Sequence, residues 1–472
     1  MIRTKVIATI GPASAKPETM IGLVRAGIDV ARINMSHGDH RAHEQSVRLV
    51  REAAETVGRP VAILVDLQGP KIRMGALEEP VLLQDGQIVT IAPEGLHAPG
   101  ELPTAYTSLA REVTPGTQIL LDDGLLELVC VETDGGRAHF EVVRGGMLAS
   151  RKGINLPGVE LNTPAVTGKD LKDLEFAFSM DAEYVGLSFV QRVEDVRVLK
   201  ARMRGRGWLV AKIERASAVE ELDGILEYSD AVMVARGDLG VELPFASVPL
   251  VQKRIIQAAN GYGCPVITAT QMLESMTSYP TPTRAETSDV ANAIIDGTDA
   301  VMLSGETAVG KYPARTVEVM VRIAEEIEGS GVLAEGPHYL EEMGPVQRRG
   351  ASRREHAVAA SSVRSARDLD APAILVITRS GFSARLVASY RPVTPIFSVC
   401  TEPKVYRQLA GVWGVRPVLA EHGEITYENL TELGKRVVLE SGRGKAGDPV
   451  VVTSGMPFHR RGSTNTMRVE RL

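Results

Sequence analysis

The feature that most constrains the fold is a repeated unit. A short run of β-branched and other apolar residues ends in polar residues or glycine and is followed by a helix-like stretch. Such alternation is typical of parallel α/β proteins. The predicted strands are residues 5–11, 30–37, 61–68, 184–190, 209–214, 231–238, 265–271 and 300–306. Eight strands of this kind favour a closed (β/α)8 barrel, the TIM barrel, with the helices on the outside.

One segment, residues 71–163, interrupts this rhythm with an all-β pattern. Its alternating apolar runs are separated by strong turn sequences, Asp-Asp-Gly at 122–124 and Asp-Gly-Gly at 134–136. An all-β block within an α/β chain is most simply an inserted domain. Its removal leaves residues 1–70 and 164–345, which together have about the ~250 residues of a (β/α)8 barrel.

A third block follows an arginine-rich stretch near residue 350. Apolar strands alternate there with helical segments, which predicts a smaller parallel α/β domain over residues 346–472. The predicted strands are residues 373–378, 396–400, 416–419 and 448–453. The sequence therefore predicts an α/β protein of three parts. These are a (β/α)8 barrel of residues 1–70 and 164–345, an inserted all-β lid of residues 71–163, and the C-terminal α/β domain.

Charge and cysteine content argue against several classes of function. The 53 basic and 59 acidic residues give a formal net charge of −6, which disfavours nucleic acid or an anionic membrane as the partner. Uncharged apolar runs fall short of the ~18 residues of a membrane span, and the first one is too short for a signal peptide. Three isolated cysteines favour neither a disulfide framework nor a zinc ribbon. We expect a cytoplasmic enzyme.

The carboxyl ends of the predicted barrel strands carry cationic side chains and a few carboxylates, at the edge where barrel enzymes place their active sites. Lys212 and Glu214 are two residues apart on one strand and therefore point to the same side. Glu214 and Asp238, on neighbouring strands, are suited to chelate Mg²⁺ or Mn²⁺. Arg32 and Lys212 are suited to neutralise a transferring phosphoryl group. The alternative is a satisfied ion-pair network at the barrel mouth.

Longer stretches are more specific than these single residues. They are residues 8–14 (ATIGPAS), 32–38 (RINMSHG), 236–240 (RGDLG), 269–276 (ATQMLESM), 282–286 (PTRAE), 303–307 (LSGET) and 465–468 (NTMR). Through them the sequence resembles the pyruvate kinase family over essentially its whole length. That family also has a barrel, an inserted β lid and a C-terminal α/β domain. The resemblance implies phosphoryl transfer from phosphoenolpyruvate to ADP, which gives pyruvate and ATP.

The resemblance also implies roles for individual residues. Arg32 would hold the phosphate of phosphoenolpyruvate, and Lys212 would stabilise the transferring phosphoryl group. Glu214 and Asp238 match the family's ligands of Mg²⁺ or Mn²⁺. The positions that match substrate-binding groups are Ser188, Gly237, Asp238 and Thr270, of which Thr270 also matches a catalytic group in the protonation of enolpyruvate. The positions that match the ADP site are Thr9, Pro12, Asn34, His37, Arg73 and, from the lid, Lys152.

One departure from the family pattern concerns a monovalent cation. Many members bind K⁺ through side chains that match Asn34, Ser36, Asp66 and the position of Leu67, which is usually threonine. They carry glutamate where this chain has Lys71. The combination of Leu67, Gln68 and Lys71 resembles the K⁺-independent branch of the family, and a lysine ammonium is a compact cation able to replace K⁺. We predict activity without K⁺; the alternative is that Lys71 is an exposed hinge residue and K⁺ still binds.

A loop in the C-terminal domain has hydroxyl groups and backbone amides suited to an anion such as phosphate. It follows a predicted strand, precedes a helix and contains Thr378, Arg379, Ser380, Gly381 and Ser383. The loop matches the family's effector-phosphate loop, so a phosphorylated effector is a predicted partner. The alternative is an ordinary capped turn. By the same resemblance we expect a homotetramer.

Two other functions stay open at this point. One is a metal-dependent lyase or aldolase that acts on pyruvate-like acids on the same barrel. Such an enzyme has no need of the lid or of the nucleotide residues Arg73 and Lys152. The other is a catalytically silent metabolite sensor, whose signature would be the loss of Lys212, Glu214 or Asp238. All three are present.

Overall fold

The computed structural model describes residues 2–159, 163–333, 351–420, 425–456 and 463–472. The predicted barrel strands form a closed barrel in which every neighbouring pair is parallel. In chain order they are β1 Lys5–Thr9, β2 Val30–Asn34, β3 Ala62–Asp66, β4 Tyr184–Leu187, β5 Trp208–Ile213, β6 Ala231–Ala235, β7 Val266–Ala269 and β8 Ala300–Leu303. The barrel prediction is confirmed, although each strand ends earlier than predicted.

The early strand ends shape the mouth of the barrel. Residues 236–238, predicted as the end of a strand, instead begin the helix Arg236–Glu242, and β8 is followed by the helix Gly305–Ala308. The prediction of a strand over residues 236–238 was therefore wrong. The last residue of β6 that pairs with β7 is Ala235, and the polar residues after it turn out of the sheet. As a result, Asp238 lies on a short helix above the strand rather than on the strand itself.

Helices surround the barrel and bury one apolar face each. In His40–Val57, for example, the side chains of Val47, Val50 and Ala53 pack into the barrel core. The spacing of these three residues matches the helical repeat, which places them on one face of the helix. The longer outer helices are Pro17–Ala26, His40–Val57, Gly168–Ser179, Val193–Met203, Leu222–Tyr228, Val248–Gly261, Arg284–Ile295 and Pro313–Gly329.

The inserted segment forms its own β structure around its own core. Its strands are Val81–Leu83, Ile88–Pro93, Leu102–Thr104, Gln118–Leu121, Leu126–Thr133, Ala138–Arg144, Gly146–Leu148 and Ile154–Asn155. Both predicted turns join antiparallel strands, and Asp122, Asp123, Gly124 and Gly135 have the positive φ that such turns require. Fully buried Phe140 and Ile119 lie in this core. The boundaries of the lid at residues 71 and 163 stay predictions.

The C-terminal domain has a sheet with helices on it, and it is mixed rather than purely parallel. Its strands are Ile374–Ile377, Ile396–Cys400, Val415–Leu419, Pro449–Ser454 and Thr466–Arg471. The four predicted strands are parallel, and the unpredicted last strand pairs antiparallel with Pro449–Ser454. Its helices are Arg353–Asp368, Phe382–Ala388, Pro403–Ala410 and Tyr427–Glu440. The predicted domain boundary at residue 345 lies outside the described residues.

None of the helices in the described ranges is both long and apolar enough to cross a bilayer.

Candidate active site

Lys212 is the centre of the polar cluster at the barrel mouth. Its ammonium lies 2.8 Å from Glu214 Oε1, 3.3 Å from Asp66 Oδ1, and donates to Ser188 Oγ at 2.8 Å. Burial lowers the pKa of Lys212, but the charges of Asp66 and Glu214 outweigh burial and hold the pKa above its usual range. Lys212 therefore carries a positive charge throughout the physiological pH range, inside a buried site.

Arg32 supplies a second cation beside the first. Its guanidinium binds one oxygen of Asp66 through Nε at 2.8 Å and Nη2 at 2.7 Å, and Nη1 donates to Thr9 Oγ1 at 3.0 Å. Burial raises the pKa of Asp66, but Lys212 and Arg32 outweigh it and hold the pKa below its usual range. Asp66 is only 1% exposed and serves both cations. It fixes Arg32 and Lys212 side by side at the base of the mouth.

Glu214 and Asp238 follow neighbouring strands, β5 and β6, as the sequence predicted. Glu214 Oε2 accepts the backbone N–H of Phe189 at 2.6 Å. Burial raises the pKa of Glu214 more than Lys212 lowers it, and the negative charge of Asp238 raises it further. Two carboxylates that repel each other at the mouth of a buried site are a donor set that suits a hard cation such as Mg²⁺.

The protein offers few ligands to a divalent cation at this site. Across the described residues, no group of three or more His, Cys, Asp or Glu side chains is arranged to hold a metal ion. Glu214 and Asp238 alone would leave most coordination positions to water and to substrate oxygens. That arrangement is usual for Mg²⁺ in sites that act on phosphates. The residues present therefore fit Mg²⁺ or Mn²⁺.

Thr270 and Gly237 meet on the other side of the mouth. Gly237 N–H donates to Thr270 Oγ1 at 2.8 Å, and that hydroxyl donates to the carbonyl oxygen of Ala269 at 2.6 Å. Thr270 has φ +68°, which is strained for a β-branched residue. Arg236 holds this conformation, since its Nη2 donates to the Thr270 carbonyl oxygen at 2.7 Å and its Nη1 lies 2.7 Å from Asp289. The Thr270 hydroxyl is thereby fixed next to Gly237.

The residues predicted to bind ADP lie around the ends of β1 to β3 and in the lid. Thr9 is buried against Arg32, Asn34 accepts the N–H of Ser36 at 3.1 Å, and Pro12 and His37 are exposed. Burial lowers the pKa of His37, and three neighbouring cations lower it further: Arg73, Lys71 and Arg32. The structure thus brings these cations together near His37.

Lys152 lies in the lid and contacts another lid residue. Its ammonium is 2.8 Å from Asp122 Oδ1, in the turn at 122–124. A Cβ added at Gly124 of that turn would lie 3.9 Å from Val241 Cγ1. Val241 follows Asp238 on the helix Arg236–Glu242. The lid turn that holds Lys152 therefore approaches the mouth of the barrel beside Asp238.

The residues predicted to surround a monovalent cation are Asn34, Ser36, Asp66, Leu67 and Lys71. Most of their oxygen atoms already have partners within the protein. The side chain of Leu67 is 1% exposed and packs in the barrel core, so only its backbone oxygen is available, and this accepts from Ser188 Oγ at 2.7 Å. Both carboxylate oxygens of Asp66 contact the cations described above. Ser36 and Asn34 contact each other. Lys71 is half-buried, and its charge acts on His37.

The loop of Thr378 to Ser383 follows a strand and precedes the helix Phe382–Ala388, as predicted. Gly381 has φ +78° and donates its N–H to Thr378 Oγ1 at 3.1 Å. Ser383 Oγ is 2.7 Å from Thr464 Oγ1, and both residues are buried. Arg379 and Ser380 lie between these contacts. The hydroxyl groups of Thr378 and Ser383 have partners within the fold, which is compatible with an effector loop and with an ordinary turn.

Three residues near the mouth received no role in the sequence analysis. Arg236 holds Thr270, and fully buried Glu306 accepts the N–H groups of Leu273 and Ser304 at 3.1 and 2.6 Å. Glu242 is four residues after Asp238 on the same helix, and burial raises its pKa to about 7. The spacing of four residues was a usable signal for Glu242. The roles of Arg236 and Glu306 depend on loop conformations that a strand pattern does not contain.

Gly186 on β4 packs closely against the carboxylate of Asp66, so a substitution at this glycine tests the role of Asp66. A Cβ added at Gly186 would lie 2.9 Å from Asp66 Oδ1, closer than carbon and oxygen normally approach. We expect Gly186→Ala to displace Asp66, to cost about 1–3 kcal/mol of stability, and to lower turnover because Arg32 and Lys212 lose their shared partner. Thermal unfolding and kcat measure this. Gly168→Ala is the control, since its Cβ would meet open space at a helix start; equal effects in both variants would contradict the prediction.

The fold and the site together define a class of protein. A (β/α)8 barrel with buried cations, paired carboxylates and a lid turn at its mouth is the architecture of an enzyme that acts on an anionic, phosphorylated substrate.

Comparison with known proteins identifies the family within that class. The family model "Pyruvate kinase, barrel domain" matches residues 1–317, and "Pyruvate kinase, alpha/beta domain" matches residues 356–470. Pyruvate kinase 2 of Synechocystis sp. is 44% identical over 99% of this chain and 79% of its own. The pyruvate kinases of Geobacillus stearothermophilus (43% identical, 99% and 80%) and Corynebacterium efficiens (42% identical, 100% and 98%) are similar to the same extent. The chain belongs to the pyruvate kinase family and is a phosphotransferase of that type.

Proposed function

We propose that the mouth of the barrel transfers the phosphoryl group of phosphoenolpyruvate to ADP, with Arg32 and Lys212 binding the phosphoryl oxygens. The observation that carries this is the position of the Lys212 ammonium, 2.8 Å from both Ser188 Oγ and Glu214 Oε1. Phosphoryl transfer asks a protein mainly for positioning and for neutralisation of charge. Two cations fixed by one carboxylate, buried Lys212 and half-buried Arg32, meet both demands.

The substrate carboxylate is proposed to bind at Gly237 and Thr270. The Gly237 N–H donates to the Thr270 hydroxyl, which itself donates to the Ala269 carbonyl oxygen. A carboxylate is a stronger acceptor and would take both donors. Since Arg236 fixes the backbone of Thr270, the hydroxyl stays in place during this exchange. Thr270 is then positioned to pass a proton toward the methylene carbon of enolpyruvate.

Glu214 and Asp238 are proposed to hold Mg²⁺ or Mn²⁺. When bound, the ion supplies positive charge to the phosphoryl oxygens and reduces the repulsion between the two carboxylates. Glu214 also binds Lys212, so one carboxylate orients both the cationic side chain and the metal site. Asp238 lies beside Gly237 and connects the metal site to the carboxylate site.

ADP is proposed to lie between the barrel and the lid. His37 is on the barrel side of this space. Arg73 lies at the start of the lid, where its Nη1 donates to the Arg151 carbonyl oxygen, and Lys152 approaches from the lid turn near Val241. Closure of the lid over bound ADP would exclude water, which otherwise competes for the phosphoryl group. Lys152 would exchange Asp122 for a nucleotide phosphate in that step.

Regulation, assembly and location are proposed on family resemblance. The loop of Thr378 to Ser383 is the proposed site of a phosphorylated effector. A homotetramer in the cytoplasm stays a prediction. Sedimentation of the full chain measures the assembly. Binding of inorganic phosphate, compared between the wild type and Thr378→Val, measures the anion site.

The function is tested by pyruvate formation from phosphoenolpyruvate and ADP with Mg²⁺. The reaction is run with Na⁺ alone and then with K⁺ added. Turnover in either salt supports the proposed function. Absence of turnover in both, with candidate sugar phosphates and AMP present as effectors, would contradict it and favour a metabolite sensor.

The same assay tests the monovalent cation. We expect the wild type to be active in Na⁺ and to change less than about twofold with K⁺, because the Lys71 ammonium supplies the charge. Lys71→Glu should lose activity in Na⁺ and regain it with K⁺, whereas Lys71→Met should regain little. Buried Leu67 supports this prediction, since its side chain provides no oxygen to K⁺. Strong K⁺ activation of the wild type, unchanged in Lys71→Glu, would contradict it.

A further inference from the structure

Four acidic residues form a ring at the amino-terminal end of the barrel, opposite the active site. Each directly precedes an even-numbered strand, and each carboxylate accepts a backbone N–H from the start of the preceding odd-numbered strand. Asp29 accepts from Val6 at 2.9 Å, Glu183 from Ile63 at 2.6 Å, Asp230 from Leu209 at 2.8 Å and Asp299 from Val266 at 2.8 Å. We name these four residues the carboxylate collar. The collar fixes the strands of the barrel in pairs.

The C-terminal domain binds three members of the collar through arginine. Arg407 Nε donates to Glu183 Oε1 at 2.6 Å. Arg385 Nη2 donates to the backbone oxygen of Asp230 at 2.7 Å, and its Nη1 is 3.7 Å from Asp230 Oδ1. Arg391 Nη1 is 3.1 Å from Asp299 Oδ1, and its Nη2 donates to the Thr298 carbonyl oxygen at 3.2 Å. The Arg385 and Arg391 side chains are at most 10% exposed.

The strands that contact Arg385 and Arg391 hold the proposed catalytic and metal-binding residues at their opposite ends. Asp230 joins β5 to β6. Lys212 lies near the end of β5 and Glu214 directly after it, and Asp238 follows β6. Asp299 joins β7, which leads to Thr270, with β8. Because a hydrogen-bonded strand in a packed core is hardly compressible, a shift at one end is transmitted to the other.

The contact at Asp230 is the more strongly built of the two. Asp230 also pairs with Lys200, and Arg385 lies over the ring of Trp208, the first residue of β5, at 4.2 Å. Burial raises the pKa of Asp230, but the charges of Arg385 and Lys200 outweigh burial and hold it below its usual range. Arg385 and Lys200 therefore stabilise the charged form of Asp230, and removal of Arg385 leaves this carboxylate with only part of its compensation.

We propose that Arg385 and Arg391 are positioning residues through which the C-terminal domain sets the alignment of β5 to β7, and thereby of Lys212, Glu214, Asp238 and Thr270. This inference rests on the proposed function of the barrel mouth. Arg385 lies on the helix Phe382–Ala388, whose start is part of the loop of Thr378 to Ser383. A displacement of that loop therefore reaches β5 and β6 through one side chain.

The test compares steady-state constants of the full-length wild type and Arg385→Ala. We expect the KM for phosphoenolpyruvate and the half-saturating Mg²⁺ concentration each to rise at least about fivefold, the size of a typical coupling between sites. The KM for ADP should stay unchanged, because the proposed nucleotide residues follow β1 and β2 or lie in the lid, away from β5 to β7. A loss of stability alone would lower the active fraction without separating these constants.

Lys404→Ala is the matched control. Lys404 lies at the same domain interface but pairs with exposed Asp181, which is outside the collar. We expect its constants to stay within about twofold of the wild type. If Arg385→Ala behaves like Lys404→Ala, or changes all three constants equally, the inference is wrong. An inactive wild type would instead refute the proposed function.

If Arg385→Ala does not fold, tryptophan fluorescence provides a second test of the proposed positioning role. The chain has two tryptophans, and Trp413→Phe leaves Trp208, which lies under Arg385, as the reporter. Coupling between binding events is reciprocal, so saturation with phosphoenolpyruvate and Mg²⁺ should change Trp208 emission. Unchanged emission at saturating substrate would overturn the inference.

Discussion

We expect Lys212→Met to lower kcat for pyruvate formation by about three orders of magnitude, because the charge on the transferring phosphoryl oxygens loses its nearest fixed partner. Methionine keeps most of the volume of the lysine stem, so the change removes mainly the ammonium. Arg32, the other proposed ligand of the substrate phosphate, remains bound to Asp66. The KM for phosphoenolpyruvate should therefore change much less than kcat.

The same substitution has a cost in stability that must be separated from catalysis. Asp66 and Glu214 are each 1% exposed, and Lys212 contacts both. Removal of one partner from buried ion pairs costs about 3–5 kcal/mol. Thermal unfolding and circular dichroism establish the folded fraction before rates are compared. Lys253→Met, which breaks an ion pair with Asp296 in the outer helical layer, is the control and should leave kcat unchanged. A folded Lys212→Met with wild-type kcat would show that Lys212 is structural.

The sequence pattern predicted the barrel well because each strand is buried on both faces. A short continuous apolar run such as that of β6 is typical of a strand that is buried on both faces. The polar residues after it indicate the position of the barrel mouth. The pattern did not show where each strand stops, since residues 236–238 are compatible with a strand end or with the first turn of a helix. The last strand, Thr466–Arg471, was missed because its exposed and half-buried residues lack a clear apolar face.

Residues of the site could be predicted where one strand or two neighbouring strands position them. The contact between Lys212 and Glu214 follows from their spacing, and the approach of Asp238 follows from the order of β5 and β6. The shared contact of Arg32 and Lys212 with Asp66 was not predicted, because it joins β2, β3 and β5 across the barrel. Contacts of that kind depend on the closure of the barrel and on strand tilt, which local sequence does not contain.

The carboxylate collar illustrates the same limit at the other end of the molecule. An acidic residue before an apolar strand is unremarkable in a single copy. Its function becomes visible only once Asp230 and Asp299 are seen to accept the N–H groups of Leu209 and Val266. The arginines that bind them come from a domain more than eighty residues later in the chain. Structure was needed to connect these elements.

We expect Glu214→Gln and Asp238→Asn each to raise the half-saturating Mg²⁺ concentration at least about tenfold. Each substitution keeps the shape of the side chain and removes one of two negative charges at the proposed site. Glu214→Gln should also lower kcat further than Asp238→Asn does, because Glu214 orients Lys212 at 2.8 Å. The protection that Mg²⁺ gives against thermal unfolding provides a readout independent of turnover, since a ligand of the folded state raises the unfolding temperature.

Asp66→Asn distinguishes a metal site from an ion-pair network. Like Glu214, Asp66 is a buried carboxylate partner of Lys212, but it is not a proposed metal ligand. It should alter the KM for phosphoenolpyruvate through Arg32 and leave the Mg²⁺ dependence as in the wild type. If all three variants shift the Mg²⁺ dependence equally, the effect comes from the lysine and not from coordination. If Glu214→Gln and Asp238→Asn both keep the wild-type Mg²⁺ dependence, the paired carboxylates only balance the charge of Lys212.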